Sequence, residues 1–410
     1  MTTSSSVSPA VRTSWLAIGL LYGTALLQGL TMVSFPASGA VLKDALSLTD
    51  AQYGGIFLPQ VALAVVGSIG GGMLADRWGL KPLLLLALVT NALSQALLAA
   101  SVAIDPTLAY PAILLATASL GLAFGAGGAP LNSYPGLFFP DASDTAVVAL
   151  HSLLGLGLTV GPLVMAPFVT ADLWIGFPLL LLALAGLLLL GTLSVSFPTD
   201  ETDDDTVTEA RPVRKPLFWA FVAAAVMYAF AEGTFSNWAV LYLHEGQGVS
   251  QATAGLALSV FWGGLVGGRL LVSALVTRIS SQTVWLVLPL LMIAAFLLLP
   301  VVEGATGGIA VFALAGLGCS AFFPLIITLI SRAYPKHVAW ASSMMIAALM
   351  LGVGAGTFLF GPLREAFSFA TLYRFSALYP ALALIAAVFV TRSEPCKQTI
   401  RDLWTGSRCT

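Results

Sequence analysis

"YGGIFLPQVALAVVGSIGGGMLADRWG", residues 53–79, is matched by "AGLALSVFWGGLVGGRLLVSALVTRIS", residues 254–280, at an offset of 201. Gly54 meets Gly255, Gly67 meets Gly268, Leu74 meets Leu275 and Arg77 meets Arg278. The first stretch is an apolar run long enough for one bilayer crossing, closed by charged residues at a polar edge. A span and the loop after it therefore occur twice, and the chain reads as two related halves. Pro140 meets Pro335 at an offset of 195, as expected if loops differ slightly in length.

Outward from this repeat, apolar segments of about 20 residues recur at roughly 15–41, 52–75, 82–103, 109–138, 146–170, 174–197, 217–243, 252–276, 282–301, 307–333, 338–361 and 369–391. The expected fold is an all-α membrane protein with twelve transmembrane helices in two pseudo-symmetric six-helix bundles. A polar, acidic segment with a basic end, "PTDETDDDTVTEARPVRKP" (198–216), separates the sixth span from the seventh. The expected divisions are 1–197, a linker at 198–216, 217–392 and a tail at 393–410. With the N-terminus inside, thirteen Lys and Arg side chains fall on the cytoplasmic side and three, Lys43, Arg364 and Arg374, on the other. That bias puts both termini in the cytoplasm. The run from Trp15 is too long for a secretory signal and resembles the later spans, so it reads as a retained first helix.

Composition agrees. Of 410 residues 58% are hydrophobic and 9% charged, with a mean hydropathy of +0.95, against about 25% charged in soluble domains. The net charge is −2 and there is no basic stripe, which sets nucleic-acid binding aside. Cys319, Cys396 and Cys409 form no CxxC, so neither disulfides nor a metal site is expected, and no cofactor. No HExxH or GxSxG motif points to an enzyme.

The loop "GGGMLADRWGLKP" (70–82) resembles the signature loop of the major facilitator superfamily, a glycine followed by Asp-Arg, a second glycine and a basic residue. Physically, Gly71, Gly72 and Gly79 permit close helix packing and a tight turn. Asp76 and Arg77 can cap helix ends or pair across the cytoplasmic seam, a gating latch made in one state and broken in the other. The plainer reading of both is a capped turn with a positive-inside residue. Thr277 and Ser280 replace the aspartate and glycine in the second copy, so the latch is asymmetric. "EGTFSNWAVLYL" (232–243), "LHSLLGLGLTVGPL" (150–163) and "ALSVFWGGLVGGRLL" (257–271) are similar to the branch of sugar:cation symporters that contains fucose permease. Fucose permease carries carboxylates in its first and fourth helices. Spans one and four here have none, which detaches fucose itself from what the resemblance implies.

Burying an ionisable group at the bilayer centre costs about 2.5–3.5 kcal/mol on insertion scales, so such groups face a wet cavity or a partner. Three qualify: His151, Glu232 and Arg269. Glu232 is the one charged residue between Leu217 and Leu243, near mid-depth, and Tyr228, Phe235 and Ser236 share its helical face. It can bind substrate, carry the coupling proton, or pair structurally with Arg269. Asn237 and Trp238 join that face only if the helix unwinds at Gly233. His151 is a coupling candidate because histidine titrates near neutrality, with a helix-packing hydrogen bond as the alternative. Arg269, after two glycines, suits a structural or gating ion pair. The resemblance puts spans one, four, seven and ten around a central cavity. It thereby makes Gln28 and Thr31 on span one and Asn132 on span four candidate ligands for substrate hydroxyls, against simple interhelical bonding. Phe322, Phe323 and Trp262 can stack on a ligand, though such rings more often only pack.

These observations lead to a secondary transporter of a small polar organic solute, sugars first, coupled to a cation with a proton ahead of sodium. It would work as a monomer in the plasma (inner) membrane. The alternatives are proton-driven efflux of amphipathic compounds and a transport-dead sensor.

Overall fold

The computed structural model describes residues 15–198, 213–275 and 278–393, without the side chains of Asp76, Asp144, Lys336, Val338 and Ala339. Most of the linker expected at 198–216 and nearly all of the tail at 393–410 lie outside the described residues. Among the described residues, twelve helical stretches are long and apolar enough to cross a membrane: Trp15–Ala37, Asp50–Ala75, Leu80–Ala100, Pro106–Phe138, Thr145–Thr170 and Gly176–Ser194, then Pro216–Gly246, Gln251–Leu275, Ser281–Leu298, Gly304–Ala333, Trp340–Ala366 and Phe369–Arg392. We number them spans one to twelve. Lipid offers no hydrogen bonds, so the spans take the helical form that satisfies backbone groups internally, and a break such as the one in span ten needs donors from its neighbours.

Each half repeats one packing plan. Span two packs on four as eight does on ten; three on four as nine on ten; one on five as seven on eleven. The repeated glycines explain part of this. A Cβ at Gly67 would meet the span-four backbone at Leu122, Gly125 and Ala126 at 3.0–3.2 Å, and a Cβ at Gly268 would meet Ser320 and Leu317 of span ten. Where lipid tails compete equally for apolar surface, such small residues let helices approach and gain dispersion contact. The other repeated pair looks across the seam between halves: Gly54 onto Phe358 and Gly361 of span eleven, Gly255 onto Pro162 of span five. Gly79 ends span two with φ of 79°, a conformation only glycine takes at no cost, as the turn after Asp76-Arg77 requires.

Several boundaries differ from the sequence reading. Span one stops at Ala37 instead of 41, and a separate helix, Gly39–Leu46, follows it. Span seven does not unwind at Gly233. It is one helix, Pro216–Leu241, followed by a π-turn at Tyr242–Gly246, and the small Gly233 brings it onto span eleven beside Val353 and Thr357. Breaks fall instead near the end of span one and the start of span two, at Val33 and Ile56, and in the middle of span ten, which divides into Gly304–Cys319 and Phe322–Ala333.

We call the end of the molecule where Trp15 begins and Arg392 ends the terminal face, and its opposite the far face. The halves are locked together at the far face. Lys43 Nζ lies 2.6 Å from Asp50 and 2.9 Å from Glu245 of the other half. Arg364 stands 3.9 Å from Asp50, and Glu365 accepts from the Ala51 backbone N–H at 3.4 Å. Deeper in, the Tyr53 hydroxyl donates to the Asn237 carbonyl at 2.9 Å, and its ring meets Trp238 edge-on at 5.1 Å. The ion pairs joining the halves among the described residues all belong to this face. Contacts between spans five and eight continue inward through Thr159 with Gly263 and Gly155 with Val266. Beyond them, toward the terminal face, Asn132, His151 and Ser152 are exposed.

Candidate functional site

The site is organised by the break in span ten. In an unbroken helix the Ser320 carbonyl would accept from residue 324, which is proline; it has no N–H, and its ring clashes with that carbonyl. The helix therefore stops at Cys319 and restarts at Phe322, leaving backbone oxygens for side-chain donors. Two arrive from neighbouring spans. Arg269 Nε of span eight donates to the Ser320 carbonyl at 3.0 Å. The Tyr228 hydroxyl of span seven bonds to the Cys319 carbonyl at 2.9 Å and also contacts Glu232 Oε2. Tyr228 is held in place by its ring, stacked on Phe322 at 5.2 Å and Phe323 at 6.5 Å.

Glu232 makes no ion pair with Arg269 within bonding distance; the guanidinium serves Ser320 instead. The carbonyls that Arg269 and Tyr228 serve belong to adjacent residues, and Gly155, one turn from His151, packs on Val266, about one turn from Arg269. The three ionisable groups singled out from the sequence thus gather in one region, although they come from spans five, seven and eight. His151 Nε2 is 2.9 Å from Asn132 Oδ1. The Asn132 amide nitrogen donates to the Gly128 carbonyl at 2.7 Å, so its oxygen can only accept, and His151 Nε2 carries the proton. Trp262 lies two helical turns from Arg269 on the same face of span eight, and its indole N–H is buried without a hydrogen-bond partner.

Other candidates fall elsewhere. Gln28 and Thr31 are 1% and 0% exposed, inside the first half and away from the seam. Asn91 Nδ2 donates to Gln28 Oε1 at 3.3 Å, and Thr31 Oγ1 bonds to Asn91 Oδ1 at 2.9 Å. Ser34 and Gln95 continue the network at 3.2 Å. The sequence reading passed over Asn91 and Gln95; the signal was "TNALSQ" (90–95), polar groups at helical spacing in span three. Asn237 and Trp238, which needed an unwound helix to join Glu232, sit instead in the far-face seam. Asn237 Nδ2 donates to Thr357 Oγ1 at 2.8 Å and Trp238 Nε1 to the Thr357 carbonyl at 3.1 Å. Phe235 packs among Phe261, Phe296, Phe312 and Tyr373 rather than flanking the acid. Arg77 is exposed at the end of span two; the side chain of its neighbour Asp76 lies outside the described residues. Among the described residues no group of acidic, His and Cys side chains could hold a metal ion.

Comparison with known proteins defines the class. The model of the Major Facilitator Superfamily matches residues 20–312, and the chain belongs to that family: it is a multi-pass membrane transporter of a small-molecule substrate. It is 26% identical over 405 residues to the 3-(3-hydroxy-phenyl)propionate transporter of Escherichia coli (strain K12), covering 93% of this chain and 96% of that one. It is 25% identical over 234 residues to a glucose/galactose transporter of Brucella abortus (strain 2308), covering 52% and 55%. Among solved structures, a D-xylose-proton symporter superposes with a TM-score of 0.76 at 15% identity, covering 92% of this chain and 97% of that one. The last likeness is one of fold.

Proposed function

We propose that the chain is a proton-coupled secondary transporter of a small polar organic solute, working by alternating access as a monomer in the plasma (inner) membrane. Both termini and a linker at 198–216 are cytoplasmic in this reading, from the thirteen-to-three bias of Lys and Arg. The locked far face is then the outer one, and the conformation faces inward. The observation that carries the proposal is Glu232, a carboxyl within a span, in hydrogen-bond contact with Tyr228 and next to a helix break. A group that must exchange a proton and signal the exchange to the fold needs such a place. Arg269 and His151 complete the charged set, and Asn132 orients His151.

For the solute, sugars remain the first reading, supported by the sugar:cation symporter resemblance and the glucose/galactose relative. An aromatic hydroxy acid is the second. It is favoured by the Arg269 guanidinium, a cation held at the break just before Phe322 and Phe323, and by the relative that aligns along nearly the whole chain. The test is uptake into proteoliposomes under an imposed pH gradient, with labelled hexoses, pentoses and 3-(3-hydroxyphenyl)propionate. Glu232→Gln should abolish gradient-driven accumulation of whichever solute the wild type concentrates, while exchange without a gradient persists. Undiminished accumulation would remove Glu232 from the coupling role.

A further inference from the structure

Tyr228 touches two oxygens but owns one proton. The Cys319 carbonyl, 2.9 Å away, can only accept, so both contacts can be hydrogen bonds at once only if the Tyr228 O–H serves that carbonyl. The contact between Tyr228 Oη and Glu232 Oε2 is then a hydrogen bond only when the carboxyl holds the proton and donates it. If Glu232 loses that proton, the carboxylate becomes the stronger acceptor. The Tyr228 O–H turns to it, and the Cys319 carbonyl loses its donor. One residue further on, the Ser320 carbonyl depends on Arg269, because Pro324 has removed its helical donor. A newly charged Glu232 competes for that guanidinium as well.

We propose that Tyr228 and Arg269 are positioning residues that report the protonation of Glu232 to the break in span ten, through the carbonyls of Cys319 and Ser320. With Glu232 protonated, both carbonyls are held and span ten keeps its observed bend. With Glu232 charged, both donors are drawn away and the two pieces of span ten are released to reorient. The inference rests on the reading of Glu232 as the coupling residue and adds the path by which its proton moves a helix. The groups facing the site are few. Cys319 is on span ten, Arg269 on span eight and, beyond it, His151 on span five. Span eleven has no ionisable side chain near Gly352 and Gly356, where it packs on span seven; span twelve brings Tyr379, against Phe230, and Tyr373, against Phe235.

The test needs no substrate. Spin labels at Met73→Cys on span two and Ile346→Cys on span eleven, 65% and 42% exposed, report the opening of the terminal face. The protein is the full chain with Cys396→Ser and Cys409→Ser, in lipid nanodiscs. Raising the pH from about 5 to about 9 should redistribute the label distances in this protein, whereas Glu232→Gln, which keeps an N–H donor toward Tyr228, should show no redistribution. Tyr228→Phe keeps the stacked ring and should reduce the pH-induced change in population ratio at least about tenfold, as expected for loss of a buried hydrogen bond to a charged group. Pro324→Ala, which restores a helical donor to Ser320, should reduce it similarly and carries the test alone if Tyr228→Phe is not monodisperse. If Glu232→Gln still responds to pH, or the parent does not, the coupling reading itself falls. If Glu232→Gln is unresponsive while Tyr228→Phe or Pro324→Ala responds fully, the coupling reading stands and the path proposed here is wrong.

Discussion

At the level of single residues, charged side chains in this chain act according to what surrounds them. Lys43 is partly buried, which by itself lowers its proton affinity, but its hydrogen bonds to Asp50 and Glu245 outweigh that and hold its pKa above the ordinary lysine value. A group whose pKa is raised by its partners contributes stability that is complete below its ordinary pKa and lost as pH rises through the raised one. The Lys43 charge on which the latch depends is therefore complete at neutral pH and is lost only in strong alkali. Lys43→Gln should shift the equilibrium away from the locked far face by about two- to fivefold, in the range of a partly exposed ion pair. Thiol labelling of Asn237→Cys from the far side would measure it, and an unchanged labelling rate would mean that the Tyr53 contacts suffice. Glu232, Arg269 and His151 were legible in the sequence because an isolated charge in an apolar run is conspicuous. Their partners were not. The carbonyls of Cys319 and Ser320 are backbone atoms, and no side-chain pattern announces them.

Among the elements, spans three and ten show where periodicity runs out. Helical spacing correctly grouped Gln28 with Thr31 but could not say whether that face meets a cavity or another helix; Asn91 and Gln95 decide for a helix. Asn91→Leu would strand two buried polar groups, at about 0.6–1.7 kcal/mol each on membrane-protein scales. A lowered melting temperature in detergent with coupling intact is expected, and an unchanged one would mean that Gln28 and Thr31 find other donors. Gly233 looked like a hinge and is instead a contact surface for span eleven, since a Cβ there would lie 2.7 Å from the Val353 carbonyl. Gly233→Leu should cost about 1–3 kcal/mol through overpacking, read as loss of folded protein on heating. The sequence reading allowed for unwinding at Gly233, but glycine invites it without compelling it. Pro324 in span ten removes the helical donor of Ser320, and there the helix does break, whereas spans four and five carry internal prolines without a break.

Over the whole molecule, the repeat at residues 53–79 and 254–280 gave both halves the same neighbours, so the count of spans and the two-bundle arrangement could be read before any coordinates. The interiors have diverged. The first half holds a neutral network of Gln28, Thr31, Asn91 and Gln95 and an unbroken fourth span; the second holds Glu232, Arg269 and the broken tenth. If the far face must open once per cycle, a disulfide between Lys43→Cys and Glu245→Cys should arrest transport when oxidised and release it on reduction. Continued flux through the oxidised protein would contradict alternating access at this seam. Arg269 also gives the site an electrical character. With His151 neutral, the guanidinium balances an ionised Glu232 and is left uncompensated when Glu232 is protonated. The empty, deprotonated carrier then returns without moving charge, whereas the carrier loaded with a proton and a neutral sugar moves one positive charge, worth about 2.3 kcal/mol per 100 mV. A bound carboxylate cancels that charge. Sugar transport should therefore draw a current that quickens with inside-negative voltage, and transport of an aromatic acid should be electrically silent, so a recording on a supported membrane separates the two solutes.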